Sequence, residues 1–100
     1  MDPEWQVADW LMRVRNACAI IALKVRDNDI DEDLTIHLRD FYAEDTPLTD
    51  ITVEVRNLIS SVVTCDWRVI ARHETIKSAL LERMVDVVLL IKQQATTHAA

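Results

Sequence analysis

Arg68 and His73 lie in the stretch DWRVIARHETI (66–76) with four residues between them, and their side-chain types suit chemistry on a phosphate ester. A guanidinium can hold the charge that builds on a phosphorane-like transition state while an imidazole moves a proton. A second set is the acidic run Asp27-Asn28-Asp29-Ile30-Asp31-Glu32-Asp33, whose carboxylates suit a hard cation. Cys18 and Cys65, with His37 and His98, are the remaining cysteine and histidine side chains.

The Arg68–His73 spacing resembles the signature of HEPN-type ribonucleases, small helical proteins that cut RNA. The resemblance covers two residues, and it implies a helical fold with Arg68 and His73 as the catalytic pair. The chain departs from the family pattern in one respect: a polar residue usually follows the arginine, and Val69 stands here. On a straight helix, residues five apart point about 140° from each other. The pair converges only if a helix starts between them or a second protomer completes the site. The competing reading places His73 on a buried helix seam, with Arg68 and Arg72 as surface charges.

The other sets read as structure. A calcium loop starting at Asp29 has Leu34 where the turn needs glycine and Asp40 where a bidentate glutamate belongs. Carboxylates in this run suit a helix start, where the dipole favours them without a metal. The cysteines and histidines lack zinc spacing, and the absence of a glycine-rich loop removes a phosphate cradle. No metal or cofactor is expected.

One hundred residues with half of them apolar suit a single domain, 1–100, with a frayed tail from about 94. There is no glycine and only two prolines, so hairpin turns are disfavoured and helices joined by Asn, Asp and Thr turns are favoured. The net charge of −6 argues against direct nucleic-acid binding. The N-terminal MDPEWQVADW is acidic where a secretory signal is basic, no apolar run reaches a membrane span, and two isolated thiols suit a reducing compartment. The expectation is a cytoplasmic protein.

Residues 3–26 read as one long helix with Asp2 as N-cap and Pro3 near its first position. Val7, Leu11, Val14, Cys18, Ile21 and Val25 form a heptad seam, and Trp5, Ala8, Met12, Arg15, Ala19 and Ala22 form a second beside it. Asp29 and Glu32 have capping-box spacing for a second helix over 30–43, burying Ile30, Leu34, Leu38 and Phe41. Thr46-Pro47 marks a third helix with Leu48, Ile51, Val55, Leu58, Val62 and Cys65 buried. Asp66 caps a fourth, 67–96, with Val69, His73, Ile76, Leu80, Met84, Val87 and Ile91 as its seam. An α-β-β-α layout competes, because residues 34–38 (LTIHL) and 51–55 (ITVEV) alternate as half-buried strands do.

The preferred reading is an all-α bundle of about four helices, long at both ends. The surplus apolar surface predicts a homodimer through Ile20, Met84, Val87, Val88, Leu89 and Ile91. Residues 27–50 carry nine acids and one base, Arg39. That predicts a docking face for a basic protein, such as a nucleic-acid-binding regulator, using Asp29, Asp31, Glu32 and Asp33 with Trp5 and Trp10 as apolar anchors. Function then reads as a non-enzymatic regulator or adaptor of the anti-activator or inhibitor type. A HEPN-like ribonuclease or its inactive relative is the alternative, and a structural assembly subunit a third.

Overall fold

The computed structural model describes residues 3–99, with side chains through residue 94. It is all-α: α1 (Pro3–Arg26), α2 (Ile36–Ala43), α3 (Asp50–Val63), α4 (Trp67–Arg72) and α5 (Glu74–Ala99), with no strand among the described residues. The Asp2 cap lies outside the described residues, as do the side chains of the tail expected to fray.

The first seam of α1 is its buried face: Leu11, Val14, Cys18, Ile21 and Val25, joined by Trp10. This face packs mainly on α5 and also on α2. The two long helices run antiparallel. The start of α1 shares a groove with Ile91 and Gln94, while Asn28, just past its end, accepts a hydrogen bond from Lys77 in the first turns of α5 (3.2 Å). Leu80, Met84, Val87 and Ile91 complete the buried face of α5.

Helix ends in this glycine-free chain use Asn, Asp and Thr. Asn28 takes φ 57°, the left-handed position that closes α1, with Asp29 N–H donating to Lys24 O (2.8 Å) and Asn28 N–H to Val25 O (3.2 Å). Thr49 caps α3 through a reciprocal box with Thr52. Asp66 caps α4 by accepting from the Arg68 N–H.

Three expectations are corrected. α2 begins at Ile36, six residues late, because Asp29 and Glu32 turn to Lys24 (3.5 and 3.6 Å) and form no capping box. Asp33 holds the entry instead, accepting from Thr35 N–H and Oγ1–H. The seam of α3 is displaced to Thr52, Val55, Ile59 and Val62, and Leu48 precedes the helix at 77% exposure. The last helix is two helices. A straight one would carry His73 along the stripe of Ile70 and Leu80 toward the core; Lys77, beyond the break, is buried with its ammonium on Asn28 and Glu74. The chain extends at His73 (φ −120°, ψ 114°), which puts that ring in solvent and lets Trp67 and Ile70 stay buried.

The alternating segments 34–38 and 51–55 are helical or helix-entry residues. In the first, Leu34, Thr35 and Leu38 are buried and Ile36 is half exposed; in the second, Thr52 and Val55 are buried and Val53 exposed. Both burial patterns follow the three-to-four spacing of a helix and leave no pleated face.

Candidate functional site

Neither Arg68 nor His73 lines either of two grooves that flank α1. The break at His73 abolishes the straight-helix geometry. The Arg68 guanidinium, however, turns back on its own cap: Nε and Nη2 donate to the Asp66 carboxylate (3.2 and 3.0 Å). That bond is the main cause of a raised Arg68 pKa and a lowered Asp66 pKa. His73 is exposed; its carbonyl accepts the Lys77 N–H (2.9 Å), so its backbone serves as the hinge into α5. Burial of His73 on a seam is therefore corrected, while Arg68 and Arg72 are surface charges as expected.

The acidic segment is tied down unevenly. Asp29 and Glu32 flank Lys24, Asp33 pairs with Arg39 (3.1 Å), and Glu44 takes Arg13 through both oxygens (2.7 and 3.0 Å). The Glu44 hydrogen bond is the largest cause of a raised Arg13 pKa, and Asp29 the largest for Lys24. Asp31 is exposed on the same loop. Among the described residues, no group of three His, Cys, Asp or Glu is placed to hold a metal ion.

The tryptophans separate. Trp10 is fully buried, its Nε1–H donating to Phe41 O (3.3 Å), so it is a core anchor with no surface to offer a partner. Trp67 is buried under α4. Trp5 is 57% exposed. The expected dimer residues divide likewise. Met84, Val87 and Ile91 are buried against the rest of the subunit and are unavailable to a second copy, whereas Val88 is half-buried and Ile20 and Leu89 are about half exposed.

Two of the surface grooves flank α1. One, of about 380 Å³, lies between α1 and α2 with Ile20, Ile21, Leu34 and Phe41 in its lining and Arg13, Lys24, Glu32, His37 and Asp40 around them. The other, of about 650 Å³, is more apolar and lies where the start of α1 meets the entry to α3 and the end of α5; Val7, Leu11, Met12, Ile51 and Ile91 line it.

Sequence reasoning missed Arg56. Its guanidinium sits over the rings of Trp10 (5.2 Å) and Tyr42 (5.9 Å) and donates to the carbonyls of Tyr42 and Glu44. Arg13 lies over Phe41 (5.5 Å) in the same cluster. The only signal was that Arg56 follows the buried Val55 on an otherwise amphipathic helix, where an arginine reads as surface. No protein-family model, no curated protein and no solved structure matches the chain.

Proposed function

We propose that the chain is a non-enzymatic regulatory or adaptor protein that acts by binding other protein surfaces, a second copy of itself included. One observation carries the reading. Large apolar side chains of α1 are turned to solvent: Trp5, Met12, Ile20 and Leu23 are each 50% or more exposed. Scattered apolar side chains are ordinary, but a continuous helical stripe of them marks an interaction surface.

Two further features support it. Arg68 is held by Asp66 and lines neither groove, so the ribonuclease alternative lacks an organised pair. The exposed carboxylates of the 27–50 segment, Asp31 foremost, suit a basic partner and set its approach rate. The compartment we assign is the cytoplasm, consistent with two free thiols and with no helix among the described residues long and apolar enough to cross a membrane.

The test is capture from the native source on the immobilised chain, followed by reconstitution with the purified partner. A stoichiometric complex whose association slows with salt is expected. Cleavage of mixed RNAs by the parent, lost in His73→Ala, overturns the proposal in favour of the ribonuclease.

A further inference from the structure

The exposed stripe of α1 has the pattern of a helix that pairs with an inverted copy of itself. Trp5, Met12 and Ala19 recur every seven residues, and Ala8, Arg15 and Ala22 recur every seven between them, the spacing of a two-helix seam. At about 100° per residue these six side chains fall within one stripe, some 125° round from the centre of the buried face. α5 and α2 pack on the buried face of α1, and Arg13, Asn16 and Ile20 are exposed on the far side of the stripe. Trp5, Ala8 and Met12 are exposed, while Arg15, Ala19 and Ala22 are half-buried along the flank of the stripe.

We infer that α1 pairs antiparallel with α1 of a second copy across a two-fold axis, with Trp5 as the anchor. This deepens the self-association half of the proposed function and rests on it. Charge commits the occupant. On or beside the stripe, Glu4 lies at the start of α1 and Arg15 and Arg26 lie in its second half, while Arg13 and Lys24 lie off the stripe and pair with Glu44, Asp29 and Glu32 of their own subunit. Within one helix this polarity complements the dipole. An inverted pair brings Glu4 of each helix toward Arg26 of the other, whereas a parallel pair sets Glu4 against Glu4 and Arg26 against Arg26.

Size agrees with charge. An antiparallel seam matches one heptad position with the other, and a single register satisfies all six residues. It places Trp5 against the partner's Ala22, Ala8 against the partner's Ala19, and Met12 against the aliphatic stem of the partner's Arg15. The largest ring meets a methyl, and the two-fold axis falls between Met12 and Arg15. The outward face of α5 is the weaker candidate. Its large exposed apolar residues are Val85 and Leu89, interrupted by Asp86 and close to Glu82.

Sedimentation equilibrium of the full chain at micromolar concentration, with two sets of variants, tests the pairing. The parent should sediment as a dimer. Met12→Glu and Trp5→Ala, both at exposed positions, should keep helical content and thermal stability while raising the dimer dissociation constant at least about tenfold, and Leu89→Glu should leave it unchanged. In a Cys65→Ser background, Ala8→Cys combined with Ala19→Cys should give a reducible covalent dimer under mild oxidation. Ala8→Cys alone should not, because the two introduced thiols then lie about 16 Å apart along the axis. Cross-linking by Ala8→Cys alone means a parallel pair and overturns the inference. A dimer that survives Met12→Glu and forms no 8-to-19 cross-link overturns this interface while self-association stands. A monomeric parent overturns both.

Discussion

Replacing Arg56 by Ala should cost far more than its position on the flank of a short helix suggests. Its guanidinium joins three helices: it belongs to α3, covers Trp10 of α1 and Tyr42 of α2, and donates to the carbonyls of Tyr42 and Glu44 where α2 ends. Charged hydrogen bonds are worth about 1.5–3 kcal/mol when dry; one of these is exposed and the other partly buried, so about 1 kcal/mol each is the appropriate figure. The ring contact with Trp10, which is fully buried, adds about 1 kcal/mol. The aliphatic stem adds about 1 kcal/mol of apolar burial. Against this, Nε is buried without a partner, and its removal returns about 1 kcal/mol. The net loss is about 3 kcal/mol, a lowering of the melting temperature by roughly 12–24 °C for a domain of this size. Urea unfolding followed by far-UV circular dichroism measures it, with Arg72→Ala, at an exposed site, as the control. A loss within about 0.5 kcal/mol of the control refutes the claim that this cation organises the α1–α2–α3 junction.

Thiol chemistry offers a second check. Burial pushes the Cys18 thiol up to about 12, while Cys65 is partly accessible, so a disulfide reagent near pH 8 should modify one thiol in the native protein and two in urea. Because the folded state keeps that thiol protonated, its contribution to stability is full below the unfolded value near 9 and falls as pH rises toward 12; Cys18→Ala should flatten the alkaline slope of a stability-versus-pH curve. Equal reactivity of both thiols in the native protein would contradict the buried α1 seam. Thr52→Val removes the hydroxyl that bonds Pro47 O (2.9 Å) and the Thr49 N–H (2.8 Å), and should cost about 1–2 kcal/mol by chemical denaturation; an unchanged midpoint would argue that the α3 entry is not held there. Reversing Asp31 and Glu32 to Lys should slow association with a basic partner at low salt and leave the dimer intact, and equal rates for parent and double variant would reduce the segment to a solubility feature.

The long helices were legible because repeated spacing leaves little freedom: α1 runs from Pro3 to Arg26, the bounds that proline and the apolar seam indicate. Breaks and entries were not, and each was decided by a contact distant in sequence. Asp29 and Glu32 have cap spacing for a helix at 30, but Lys24, one turn back on α1, takes both carboxylates. Nothing local marks the break of the last helix at His73, which lacks a glycine or proline; the extended backbone there puts its ring in solvent. Leu48 has the right type and spacing for a seam and lies in solvent, because Thr49 and Thr52 form the box that starts α3 at Asp50, three residues past Pro47.

The same reasoning separates the two seams of α1, which sequence alone presents as equals. Only one can face the subunit's own core, and Trp10 decides which. At that position the indole can be buried with its N–H on Phe41 O and its ring under Arg56, whereas Trp5 has no comparable polar and aromatic surroundings among the described contacts. Once Trp10 turns inward, the stripe of Trp5, Met12 and Ala19 must turn outward. The surplus apolar surface therefore lies on α1. It does not lie at Met84, Val87 and Ile91, where the sequence pattern first suggested it, because those residues are what the inward seam of α1 packs against.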